Sequence, residues 1–218
     1  MRKIFFAIIA MALPMMMNAQ SVGLLARKPR VTAANLSSYA EKGAIPEENG
    51  KVVFKKTVAA MAGLSKEDIF NRMQQWAALR YEPNSMVGYD YQDPNFHKNL
   101  EYAKLKVADR QNGIIECQGA EELIFSVKPL AKNYTQAFYL LDVKVNQGSV
   151  DFTLHTINFN IDQGDNEFVR MDAESWITDA EAINKKGELR KRQGKFRVKT
   201  IDLVNQIESE IANAIQNE

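Results

Sequence analysis

From Lys51 onward, apolar and polar side chains alternate. Val52, Phe54 and Val58 are separated by Lys55 and Thr57, the period-two spacing of a half-buried strand. The period then changes. Ser65 is an N-cap residue type, and Glu67 and Asp68 follow in the first turn, where the helix dipole favours acids. Ile69, Phe70, Met73, Trp76 and Ala77 make one apolar stripe of a helix that ends near Arg80, before Pro83.

Strand spacing returns at Leu105 and Val107, and Asn112-Gly113 marks a tight hairpin turn. The return strand holds Ile114, Ile115 and Cys117 and continues past a kink at Gly119 through Leu123, Phe125 and Val127. Residues 134–145 form a long strand with Tyr139, Leu141, Val143 and Val145 on one face. Asn146-Gln147-Gly148-Ser149 turns the chain into a partner strand that starts with Val150, Phe152 and Leu154 and runs to Phe159. Residues 172–184 read as a short helix, with Trp176, Ala180 and Ile183 on one side, broken by Lys185-Lys186-Gly187. Residues 199–216 form the final helix, striped by Ile201, Val204, Ile207, Ile211 and Ile215.

The order is strand, helix, four antiparallel strands, helix. Two amphipathic helices can cover one face of such a sheet, which makes the fold α+β. The other face can stay polar, and Asp151, Thr153 and His155 alternate onto the side opposite Phe152 and Leu154.

Four blocks carry a resemblance. They are Gly50-Lys51-Val52-Val53-Phe54-Lys55-Lys56-Thr57 with the helix after Ser65; the hairpin over 107–119; the hairpin over 138–159; and 176–200, with Ala182-Ile183-Asn184-Lys185-Lys186-Gly187 and Gly194-Lys195-Phe196-Arg197. Together they resemble the DUF4468 family of Bacteroidetes, a domain of unknown function with a TATA-binding-protein (TBP)-like fold, over roughly residues 50–216. The resemblance implies a TBP-like β-α-β4-α order, with a curved antiparallel sheet and two amphipathic helices on one face. It also implies a periplasmic or secreted protein, and it brings no catalytic residues.

The first nineteen residues read as a cleavable signal peptide. Arg2 and Lys3 precede an uncharged apolar run over 4–17 that only Pro14 interrupts, and Ala19-Gln20-Ser21 suits processing. The run is short for a membrane span, and no cysteine follows it to take a lipid. Residues 20–49, polar and carrying Pro29 and Pro46, read as an extended or partly disordered lead-in to a single domain over 50–218.

Removing Arg2 and Lys3 from 28 basic residues leaves 26 against 27 acidic ones, a near-neutral balance that does not favour nucleic acid. Cys117 is the only cysteine, so no internal disulfide or cysteine-rich metal site can form, and the thiol reads as a core residue. No nucleotide-binding glycine motif, Gly-x-Ser-x-Gly elbow or His-x-x-x-His pair occurs, so no cofactor, metal or catalytic residue is assigned. The stretch from Asn158 to Asp165 has the alternating oxygen side chains of a calcium loop. Its glycine falls one place late and Val169 stands where the last ligand belongs, so it reads as a solvated loop.

Two features remain. The insertion over 81–102 carries Tyr81, Tyr89, Tyr91, Phe96, His97 and Tyr102 among turn residues, and Tyr89, Tyr91, Phe96 and His97 are the candidate ligand-binding set. The basic run over 185–199 reads as a solvated connector able to meet an anionic partner. These point to a non-enzymatic binding or interaction module for an envelope ligand or protein, without stable membrane insertion. The alternatives are a small hydrolase-like enzyme using His155, His97 and nearby acids, or an accessory domain assembling with a cell-envelope protein.

Overall fold

Strand pairing sets the architecture. In a computed structural model describing residues 36–87, 96–128, 131–164 and 167–217, strands β1 (Glu47–Glu48) and β2 (Lys51–Val52) make a small ribbon ahead of β3 (Phe54–Ala59). Helix α1 (Lys66–Arg80) follows, and then a second ribbon, β4 (Met86–Val87) with β5 (His97–Lys98). The main sheet runs in the order β10 (Glu167–Asp172), β9 (Ser149–Gly164), β8 (Ala131–Asn146), β7 (Ile114–Lys128) and β6 (Lys104–Asp109). All these neighbours are antiparallel, and β3 pairs with β9 on the edge that β10 also uses. Helix α2 (Gln193–Gln216) ends the described chain. No described helix is long and apolar enough to cross a membrane.

The α+β class and the helix-covered face follow the hydrophobic pattern. Ser65 caps α1 in both directions: its hydroxyl accepts from Asp68 N–H at 3.1 Å, and the Asp68 carboxylate accepts from Ser65 N–H at 3.2 Å. Ile69, Phe70, Met73 and Ala77 of α1 and Val204, Ile207, Ile211 and Ile215 of α2 are buried with Tyr139, Leu141, Val143, Phe152 and Leu154 of the sheet. Each large apolar side chain buried in this way contributes about 1.5–3 kcal/mol. Cys117 also lies in this core, 1 % exposed, and burial pushes its thiol up to about 12.

Several local expectations need correction. Asn158 to Asp162 is not a loop but a continuation of β9, paired with a further strand, β10. Period-two oxygens along a strand lie about 7 Å apart on one face and cannot wrap an ion. Gly119 marks no kink in β7. A Cβ there would sit 2.1 Å from the ring of Tyr139, its cross-strand neighbour, so the glycine makes room for that ring. The β7 irregularity lies instead between Ile124 and Ser126. Residues 172–184 hold a 3-10 turn (Ala173–Ser175) and one helical turn (Asp179–Ala182) rather than a continuous helix. Helix α2 begins six residues before its expected start.

Arg197 explains that early start. It belongs to no solvated connector: it is 0 % exposed. Its guanidinium donates to the carbonyls of Tyr39 at 2.6 Å, Glu41 at 2.9 Å and Ile177 at 3.0 Å, and pairs with Asp179 at 2.8 Å. The second half of the lead-in is thereby fastened to α2, more ordered than its polarity predicts. Tyr39 O–H donates to Asp202 at 2.6 Å, and Ile45 is buried.

Candidate functional site

Charged residues on apolar stripes build the most developed polar centre. Arg80 continues the stripe of Met73 and Ala77, and Glu121 falls on the inward period of β7 with Cys117 and Leu123. They are 3 % and 2 % exposed. Arg80 Nη2 donates to both Glu121 oxygens, at 2.9 and 3.2 Å, and Arg80 Nε lies 3.1 Å from Glu210 of α2. Tyr139 O–H donates to Glu121 at 2.5 Å. Burial opposes the charge of Arg80, but Glu121, with smaller contributions from Tyr139 and Glu210, outweighs it and holds the guanidinium protonated. Burial, and then the Glu121 charge, push the Tyr139 phenol well above its ordinary value, so it stays a donor.

The aromatic insertion is anchored on this centre. Asn99 Nδ2 donates to the carbonyls of Arg80 at 2.7 Å and Glu82 at 3.0 Å, and Asn99 bridges to Glu121 across the sheet edge. Its described ends are not open loop, because β4 and β5 pair Met86 with Lys98 and Val87 with His97. Tyr81 lies edge-on to Trp76 at 6.0 Å and to Tyr139 at 6.3 Å, fully inside. His97 is also buried, 3 % exposed, with Nδ1 3.4 Å from Gln206 Nε2. Phe96 is half-buried, and Tyr102 is exposed. Tyr89 and Tyr91 lie outside the described residues. Of the candidate set, therefore, His97 is placed at the centre as a wall rather than as a surface contact.

Beside these residues, a groove of about 650 Å³ runs between α1 and α2. Trp76 and Leu79 supply apolar surface, and Arg80, His97 and Glu210 reach its floor. Trp76 Nε1 donates to Glu210 at 3.3 Å, and Gln206 donates to the other oxygen of the same carboxylate at 2.8 Å. Arg72, Gln75, Asn213 and Asn217 complete the lining, so the cleft joins a patch of apolar surface to several polar side chains. The signal for Arg80 and Glu121 was present in the chain: each is a charge on the buried period of its element. Glu210 has no such signal, since nothing local distinguishes it from a solvated helix acid.

His155 sits elsewhere, on the sheet face away from the helices. Its Nε2 lies 3.0 Å from Asp142 and its Nδ1 2.9 Å from the Thr156 hydroxyl. Thr156 has φ of 54°, a strained value for a β-branched residue, at the bulge where the β8–β9 register shifts. A recess of about 530 Å³ adjoins it, lined also by Lys51, Arg170 and Asp172. The two histidines thus do not converge, although each has a carboxylate nearby and a cleft.

With this geometry in hand, comparisons place the chain. A family model described as a domain of unknown function (DUF4468) with TBP-like fold matches residues 54–160. The crystal structure of a DUF4468 family protein from Bacteroides ovatus is similar, with a TM-score of 0.66 and 28% identity over 81% of this chain and 92% of that one. A TBP-like protein from Parabacteroides distasonis shares the fold, with a TM-score of 0.60 and 21% identity over 80% of this chain and 98% of that one. No protein of curated function matches. Residues 54–160 thus match the DUF4468 family, and its TBP-like fold is the fold of this chain.

Proposed function

We propose that this protein is an exported, non-enzymatic binding module, periplasmic or secreted, whose ligand or envelope partner seats in the groove between α1 and α2. The observation that supports this most is the floor of that groove. Arg80, His97 and Glu210 are held by bonds to Glu121, Asn99 and Gln206 before any ligand arrives, so little ordering is required on binding. Leu79, 61% exposed beside Trp76, offers apolar contact at the rim. The export part of the reading rests on the signal-like first nineteen residues.

A thermal-shift screen of the purified chain with envelope glycans, lipids and extracts of cell-envelope protein tests it. A ligand present at about a hundred times its Kd stabilises the fold by about 2.7 kcal/mol and raises Tm measurably. Leu79→Arg, at an exposed site, is expected to abolish that rise while leaving the unliganded Tm in place. A rise that survives Leu79→Arg, or no rise with any class, counts against the groove.

One observation favours a hydrolase-like second reading: Asp142, His155 and Thr156 form a carboxylate–imidazole–hydroxyl chain beside a recess. Turnover of an activated ester that disappears in both His155→Gln and Thr156→Val would carry it. Turnover equal in all three proteins would remove it.

A further inference from the structure

A third recess, of about 440 Å³, lies where the start of α2 meets the far ends of β8, β9 and β10. Its walls differ in kind from those of the groove. Arg192 and Lys195 face it, and α2 has no acid in its first turn. Among the described residues neither cation has a carboxylate partner. Each is positioned by a ring instead: the Arg192 guanidinium lies 5.3 Å from the Trp176 centroid, and Lys195 Nζ lies 4.2 Å from that of Phe125. Lys195 also donates to Asn133 Oδ1 at 3.2 Å. Burial, and then the neighbouring Arg192 charge, hold Lys195 below the usual lysine value. Two like charges are therefore fixed towards one recess with nothing described there to neutralise them, a repulsion that a bound anion would relieve. A third cation, Lys132, is already matched: its ammonium pairs with the buried Glu122.

The remaining walls are amides and rings. Asn160 Nδ2 donates to Gln136 Oε1 at 3.3 Å, which leaves the second amide hydrogen of Asn160 and the Gln136 amide group for further bonds. Phe168 and Tyr134, 49% and 39% exposed, border the recess with ring surface. Sugar hydroxyls both donate and accept, as amides do, and the C–H face of a sugar packs on aromatic rings. A bare inorganic anion can accept from the cations and from the free amide N–H groups, but it leaves the rings idle. A neutral sugar would leave the charges unrelieved.

We propose that this recess is a binding site for an acidic saccharide, with its carboxylate or sulfate on Arg192 and Lys195, its hydroxyls on Gln136 and Asn160, and its ring face on Phe168, since the Tyr134 ring already carries the Lys132 ammonium at 4.3 Å. The site is separate from the groove between the helices, and its test does not depend on that groove. Titration calorimetry of the purified chain with trigalacturonate, maltotriose and inorganic phosphate decides it. Trigalacturonate binds at least about tenfold more tightly than either control, and the affinity falls as salt is raised. Arg192→Gln with Lys195→Gln weakens trigalacturonate binding by about tenfold or more, the worth of charge-assisted hydrogen bonds, without lowering Tm. Phe168→Ala weakens it while leaving phosphate unchanged, and Leu79→Arg leaves it intact. No trigalacturonate binding, equal affinity for phosphate, or affinity that survives the double charge removal would overturn the proposal.

Discussion

The end of α1 and the start of α2 both place an arginine near an open recess, and they use it in opposite ways. Arg80 is buried against Glu121 and Glu210, with Tyr139 and Asn99 taking up remaining bonds. Arg192 and Lys195 lie partly in solvent, propped on rings and facing each other's charge. Burial forces neutralisation in the first case, because an uncompensated interior charge costs several kcal/mol. At the second, water tolerates the imbalance, so the charge stays available to something outside the chain. The two helix starts repeat the contrast: α1 has a reciprocal cap and two acids in its first turn, whereas α2 has no side-chain cap and no acid there.

Breaking the buried pair should give the largest effect. Glu121→Ala leaves Arg80 without its bidentate partner and Tyr139 without its acceptor, and a loss of about 3–5 kcal/mol is expected in urea unfolding. Replacing both Arg80 and Glu121 with leucine should recover most of that loss. If the double variant is no better than Glu121→Ala, the pair is not the balanced unit described. Next, Gly119→Ala drives a methyl into the Tyr139 ring and should cost about 1–3 kcal/mol, with the same urea measurement as the check. Tyr139→Leu in the same chain should lessen that cost.

The helix caps come third. Ser65→Ala should lower stability by about 1 kcal/mol, whereas Gln193→Ala at the uncapped start of α2 should change little. The hydroxyl and amide of Ser65 hold the Asp68 carboxyl below its usual value. A carboxyl lowered in the fold stabilises it above the unfolded value and loses that contribution as pH falls through the folded one. Thermal melts from pH 6 downward should therefore show a shallower acid-side loss in Ser65→Ala than in the parent chain. The smallest effect belongs to Arg192→Gln with Lys195→Gln, which should alter Tm by no more than a surface change of about 0.5 kcal/mol would. A large destabilisation there would mean that those cations are architectural after all, and the contrast with Arg80 would fail.

Where local chemistry and tertiary burial agreed, the chain was readable. Ser65, the stripe of α1 and the turn at Gly148 each act through near neighbours, and each fell where the pattern put it. Strand β10 was hidden because all its described side chains but Met171 are exposed; its backbone pairs with β9 while its residues show no apolar period. The first turns of α2 were hidden for the opposite reason. Arg197 and Thr200 occupy buried positions, so the stripe appears interrupted by polar residues: the partners of Arg197 lie in segments remote along the chain, and Thr200 donates back to the Phe196 carbonyl one turn earlier. The site divided in the same way. His97 stood out as one of two histidines and does reach the groove floor, yet the charges it sits among became visible only once β7 and α1 were brought together. Gly119 read as a bend because a missing side chain looks the same from the sequence whether the backbone turns or a ring needs the space.

The hold of Arg197 on Tyr39 and Glu41 has a consequence for the order in which the molecule can be completed. A ribosome releases the lead-in well before α2, with 158 positions separating Arg197 from Tyr39. Strand β3 likewise waits for β9 before it has a neighbour. The opening segment of this domain therefore has no native resting place until α2 has been made. A growing chain stalled before residue 197 should leave residues 36–49 open to protease, and a chain that includes α2 should close them.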